Sequence, residues 1–133
     1  MGQPAAKQGD QVVAVDVHIV MVPSPGGPVP TPLPHPFAGM LDGGLSSNVK
    51  IMGRPAATVG STANNQPPHL PTPPGTAFQI PPMDKATILR GSSTVMINGK
   101  PAARAGDQTQ TCADPAPNMG ATLIAVGTIL IGG

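Results

Sequence analysis

The chain has 133 residues, enough for one domain, and its 19 Pro and 17 Gly call for short elements joined by tight turns. An apolar content of 39%, a charged fraction of 10% and a net charge of +1 exclude a charge-rich disordered chain and argue against a nucleic-acid partner. With Phe37 and Phe78 as its only aromatics, the core falls to Val, Ile, Leu, Met and Ala. Such a core stabilises weakly and calls for a staple, and a single Cys cannot form an intrachain disulfide, so the expected staple is a metal ion.

In chain order, the start Met1-Gly2-Gln3-Pro4-Ala5-Ala6-Lys7 has no apolar signal region, and Ala6 spoils a myristoylation pattern. Residues 12–22 form the longest β-like run, rich in Val and Ile. Residues 23–36 and 67–82 are dense in proline and leave no room for helix, so a turn near residues 37–41 is the one helical feature expected. Residues 49–52 and 95–98 alternate like half-buried strands, each followed by a turn at Met52-Gly53 or Asn98-Gly99. Residues 87–89 read as a short strand, and residues 122–131 as a closing hairpin turning at Gly127. The apolar tail from residue 121 is interrupted by glycines and falls short of the ~20 residues that a membrane helix needs. The expectation is synthesis in the cytoplasm without a signal peptide, with any export depending on another carrier.

One segment occurs three times, as Gly2-Gln3-Pro4-Ala5-Ala6-Lys7-Gln8-Gly9-Asp10, Gly53-Arg54-Pro55-Ala56-Ala57-Thr58-Val59-Gly60-Ser61 and Gly99-Lys100-Pro101-Ala102-Ala103-Arg104-Ala105-Gly106-Asp107. The second and third copies extend upstream, where Val49-Lys50-Ile51-Met52 aligns with Val95-Met96-Ile97-Asn98 at an offset of 46 residues. Repeats of this length mark supersecondary units that stack or share a symmetry axis. Each copy reads as a strand–turn–strand hairpin, with units starting near residues 2, 49 and 95 of a single domain spanning 1–133. The expected fold is all-β, a small set of short hairpins with proline-rich loops.

His18, His35, His69 and Cys112 are the only His and Cys residues, a donor set suited to a closed tetrahedral zinc site. Gaps of 17, 34 and 43 residues separate them, so one site built from all four would tie distant hairpins together. His18 and His69 each lie 14 residues after the Pro of their repeat, and Cys112 lies 11 after Pro101. Singly, each His also reads as an ordinary surface or core residue, and the Cys as a small buried hydrophobe. The shared offsets and the need for a staple favour the metal site. Asp16, two residues before His18 on the same strand face, reads either as a group orienting an imidazole or as a solvated carboxylate.

Pro101-Ala102-Ala103-Arg104, with the variants Pro4-Ala5-Ala6-Lys7 and Pro55-Ala56-Ala57-Thr58, resembles the motif of the PAAR-repeat family. Residues 23–30 resemble the PAAR-like branch of that family, the spike tips of contractile injection systems. The resemblance implies a cone of β-hairpins seated on a trimeric spike, either a VgrG-like protein of type VI secretion or its counterpart in phage tails and extracellular particles. It also implies one structural zinc ion held by three His and one Cys, which carries over to His18, His35, His69 and Cys112. The expected role is to cap that homotrimer with one chain per trimer and sharpen it for membrane puncture. Effector cargo is a further partner, with no effector extension expected on this chain and only transient contact with the target membrane. Two of the three copies depart from the motif at its fourth residue. The chain has no Glu, six Asp and no Ser-His-Asp or Cys-His set outside the candidate ligands, so it does not read as an enzyme. The alternatives are a zinc-dependent hydrolase with a three-His site, should Cys112 not be a ligand, and a separate effector-loading adaptor.

Overall fold

The computed structural model describes residues 2–132, and it contains no helix among them. Thirteen strands run in the order β1 (Gln3–Pro4), β2 (Gln11–Val22), β3 (Val29–Gly43), β4 (Lys50–Ile51), β5 (Arg54–Pro55), β6 (Thr62–Asn65), β7 (Ala77–Phe78), β8 (Lys85–Ile88), β9 (Met96–Ile97), β10 (Lys100–Pro101), β11 (Thr109–Thr111), β12 (Asn118–Ile124) and β13 (Leu130–Ile131). All the pairings are antiparallel.

The three copies of the repeat meet around a pseudo-threefold axis. Ala6 N–H donates to the Ala103 carbonyl (2.9 Å), Ala103 N–H to Ala57 (3.0 Å) and Ala57 N–H to Ala6 (3.0 Å), which closes a ring. A second ring surrounds it, from Gln8 N–H to Pro55, Val59 N–H to Pro101 and Ala105 N–H to Pro4. Ala6, Ala57 and Ala103 have no exposed surface, so a larger side chain at any of them would have to displace the other two copies. Gly9, Gly60 and Gly106 then take φ of 89°, 93° and 84°, where a Cβ is disfavoured, and this explains the glycine shared by the three copies.

On one side of the ring each copy belongs to a two-stranded antiparallel pair, β4 with β5, β9 with β10, and β1 with β13. Ile51, Ile97 and Ile131 occupy equivalent buried positions against Ala5, Ala56 and Ala102. The turns at Met52-Gly53 and Asn98-Gly99 have positive φ at both residues, as a tight two-residue hairpin requires. The first copy takes its partner strand from the far end of the chain. Residues 122–131 therefore do not form a hairpin of their own. Residues 122–124 pair with β2 instead, and Leu130–Ile131 pairs with Gln3–Pro4. The signal was present, because Ile129-Leu130-Ile131 repeats the pattern of Val49-Lys50-Ile51 and Val95-Met96-Ile97.

On the other side each copy leads into a pair of strands, β2 with β3, β6 with β8, and β11 with β12. Further pairings of β3 with β6, β8 with β11 and β12 with β2 close these into a barrel, with β7 added on the outer half of β2. Leu41, Ile88 and Leu123 fill it at equivalent positions, each receiving at its carbonyl the N–H of Gly9, Gly60 or Gly106. Phe37 packs in the same core.

The arms are unequal, and this tapers the molecule. β2 and β3 remain paired from Gln11↔Met40 out to Val22↔Val29, whereas β12 pairs with β2 only at residues 11–13 and β6 pairs with β3 only at residues 39–43. β3 runs straight through the expected turn at residues 37–41 and most of the proline-dense stretch. Its prolines fall at every second position, 30, 32, 34 and 36, and so leave the N–H groups of residues 29, 31, 33 and 35 to serve the β2 ladder. The edge facing away from β2 then carries no donor along this stretch, which protects it from pairing with another chain.

Candidate metal centre

Period-two alternation on β2 turns Asp16 and His18 inward together, and the register sets Asp16 directly opposite His35 on β3. His69 arrives from the loop after β6, where its N–H donates to Asp84 Oδ1 (2.8 Å). Cys112 follows the last residue of β11 and is half-buried. The three imidazoles are buried and in mutual contact, with ring centroids 5.4 Å apart for His18–His35, 4.9 Å for His18–His69 and 5.6 Å for His35–His69. Phe78 closes over His18 (5.7 Å) and His35 (5.2 Å), while Phe37 stands 6.0 Å from His69, so both aromatics of the chain border the cluster.

Each ring is oriented at Nδ1. His18 Nδ1 meets Asp114 Oδ2 (3.2 Å), His35 Nδ1 meets the Leu33 carbonyl (2.8 Å), and His69 Nδ1 meets the Asn65 amide (3.1 Å). The carboxylate and the carbonyl accept from Nδ1–H and so direct Nε2 of His18 and His35, whereas His69 Nδ1 accepts from Asn65 Nδ2–H and its Nε2–H faces Asp16 Oδ2 (3.2 Å). His18 Nε2 is the one buried side-chain polar atom without a hydrogen-bond partner among the described residues. A buried imidazole lone pair without a donor is costly in a protein interior and suits a cation. Donor atoms of Asp16, His18, His69 and Cys112 all lie within 4.8 Å of one another. His35 stands beside this group rather than within it, and its Nε2 accepts the Thr72 N–H at 3.2 Å.

Two groups of the cluster have shifted proton affinities. Burial lowers the pKa of His35, and the neighbouring imidazoles of His18 and His69 add to this, against the raising influence of the Leu33 carbonyl and Asp16. Burial likewise pushes the Cys112 thiol up to about 11, opposed by the backbone N–H groups of Asp84 and Lys85. The protein alone therefore holds a neutral thiol there, and a metal ion would have to draw out the thiolate. The donor chemistry fits a borderline divalent ion, since imidazole nitrogen with thiolate sulfur is the set that zinc prefers. Cavities of about 180 Å³ beside His18 and Cys112 and about 310 Å³ beside His35 and His69 border the cluster.

Asp114, Asn65, Asp84, Thr72 and Phe78 were not singled out as site residues from the sequence. Asp114 carried a weak signal, two residues beyond Cys112, whereas the others reach the cluster through contacts that no local pattern encodes.

Two of the three copies of the repeat fall inside one match to a known protein family. Residues 21–125, which include the second and third copies and three of the four candidate ligands, match the family of the PAAR motif. No curated protein matches the chain. Family match, ring of repeated Pro-Ala-Ala segments and all-β architecture agree, and the chain belongs to the PAAR-motif family, the spike tips of contractile injection systems.

Proposed function

We propose that this chain caps the central spike of a contractile injection machine, one copy on a trimeric VgrG-like or phage-type spike, and that it acts mechanically and not as an enzyme. The observation that carries this reading is the closed ring from Ala6 to Ala103 to Ala57, because it lets a single chain present three near-equivalent strand pairs. A threefold partner then meets similar backbone at each of its subunits. Those pairs expose Met52, Met96, Ile129 and Leu130, with Lys50, Arg54 and Lys100 around them. An apolar patch rimmed by polar residues is the usual form of a docking face.

In this reading His18, His69 and Cys112 hold one structural zinc ion at the tapered end, and His35 joins them when its Nε2 gives up the Thr72 N–H, which ties the β2–β3 arm to the loop after β6 and to the segment after β11. Four protein donors leave no coordination position for an activated water, which supports a structural ion over a hydrolytic one. When bound, the ion would supply stiffness at the point where the fewest strands meet. The tip would reach its site of action as part of the assembled particle, with effector cargo as a further passenger and the target membrane as a transient contact.

The test is to mix the purified chain with the trimeric spike of the same organism's contractile apparatus and weigh the complex by native mass spectrometry. One chain per three spike subunits is expected, with loss of the complex in a Met96→Asp, Leu130→Asp double variant. A spike that stays unbound, or that takes three copies, would overturn the assignment.

A further inference from the structure

Asp16 has no exposed surface, yet among the described residues none of its hydrogen-bond partners is a Lys or Arg. Its Oδ1 accepts from Thr111 Oγ1 (2.5 Å) and Asn118 Nδ2 (3.0 Å), which anchors the carboxylate to β11 and β12. Its Oδ2 turns the other way, to His69 Nε2 (3.2 Å) and Cys112 Sγ (3.6 Å). The two oxygens thus divide between a structural side and the candidate ligands. A fully buried carboxylate without a cationic partner is strongly unfavourable, and a divalent ion held by neutral imidazoles and one thiolate leaves an excess positive charge in the same dry space.

Resting on the metal-site reading above, we propose that Asp16 is the counter-charge of the metal cage and a positioning residue for His69 and Cys112. Together with the Cys112 thiolate it supplies two negative charges, which balance a divalent ion. The assignment adds a residue to the three-His, one-Cys set and explains why β2 carries an acid at a fully enclosed position. It also accounts for Thr111 and Asn118, whose polar groups hold Oδ1 so that Oδ2 stays turned toward the ligands.

Charge makes a signature that packing does not. In Asp16→Asn the cage matches a monovalent ion instead of a divalent one. Zinc(II) affinity, measured by competition with a chromophoric chelator, should fall about 10- to 100-fold, while silver(I) affinity falls by less than about threefold. Asp16→Ser, which keeps a hydroxyl for Thr111 and Asn118 without a charge, should shift the zinc-to-silver ratio the same way. Equal losses for the two ions, or no loss, would overturn the proposal. So would failure of both variants to fold with zinc while metal-stripped wild type stays folded, because the defect would then lie in the scaffold. Wild type that takes up no zinc at all would instead sink the metal site itself.

Discussion

The two ends of this protein are built on opposite plans. Around the ring a nine-residue segment is used three times, and its backbone and apolar contacts, from the Ala carbonyl bonds to the buried Ile51, Ile97 and Ile131, have two counterparts each. At the tapered end nothing repeats. One His comes from β2, one from β3, one from a loop and a Cys from beyond β11, and each appears once. Load at the ring is therefore shared among three equivalent positions, whereas the tapered end depends on each of its groups separately. The same substitution should accordingly have one cost in three places at the ring, and a different cost at each residue of the cluster.

The largest effect is expected from the end without redundancy. Removing the ion by chelation, or the orphaned ring nitrogen by His18→Ala, should lower stability by about 3 kcal/mol or more, roughly 10 °C in Tm. Zinc should restore the chelated wild type but not the variant. A melting curve indifferent to chelator would show that the two ends do not differ in this way.

Next comes the ring. Ala6→Leu, Ala57→Leu and Ala103→Leu each force a larger side chain into a place with no free surface, and each should cost about 1–3 kcal/mol or more by overpacking. Equality among the three is the sharper expectation, checked by parallel denaturant titrations. A spread of several kcal/mol would mean that the hydrogen-bonded ring is not the unit that carries the load.

This contrast also explains what could be read from the residues. The ring was legible because Pro-Ala-Ala and a following Gly mark each copy, and Asn98-Gly99 announces its own turn. The four candidate ligands were legible as a set because the chain has no other His or Cys. Less legible was β3. Proline normally argues against a paired strand, and only its placement at alternate residues, known once β2 is the partner, turns it into an edge device. Pairing of the chain ends was hidden because three residues, Ile129-Leu130-Ile131, are too few to stand out without the ring that calls for them. Around the cluster, Asn65, Thr72 and Asp84 act through contacts that depend on how the loop between β6 and β8 folds back.

A smaller effect concerns protons in the metal-stripped protein. His35 has a lowered pKa, so the unfolded chain binds its proton first as pH falls below 6.5, and the folded state loses stability through that window. Cys112 is shifted the other way, to about 11 from 9.0, so the unfolded chain loses its proton first and stability drops as pH rises from 9 toward 11. Stability should thus be greatest between these limits. His35→Gln should flatten the acid side by up to about 1.4 kcal/mol per pH unit, and Cys112→Ala should flatten the alkaline side. Urea midpoints across pH would check both, and zinc bound by these groups should steepen the acid side, because they stay unprotonated while the unfolded chain takes up protons, and should remove the alkaline loss.

The smallest net change, that of a double variant, tests how equivalent the three copies are. Lys7 pairs with Asp10 (3.1 Å) and reaches the Val126 carbonyl (2.5 Å), while Arg104 pairs with Asp107 (2.8 Å) and reaches the Gly132 carbonyl (3.2 Å). The second copy has Thr58 and Ser61 there, and beside Thr58 lies a cavity of about 70 Å³ bordered by Ser46, Asn98 and Lys100. Backbone geometry is unchanged, since Thr58 N–H donates to Ser61 Oγ (2.9 Å) as Lys7 and Arg104 N–H donate to Asp10 and Asp107 (3.0 and 2.7 Å). Ser61 Oγ also donates to the Gly44 carbonyl (2.8 Å), a bond that a carboxylate cannot make. Ser61→Asp alone should therefore cost about 1–3 kcal/mol, through a buried charge facing a carbonyl. Adding Thr58→Arg should return most of that loss, with a coupling of about 1–2 kcal/mol in a double-mutant cycle and a net change near zero. The same coupling is expected for Arg104→Ala with Asp107→Ala. Additive effects at 58 and 61 would mean that the second copy shares only the backbone of the other two and has been built around neutral side chains.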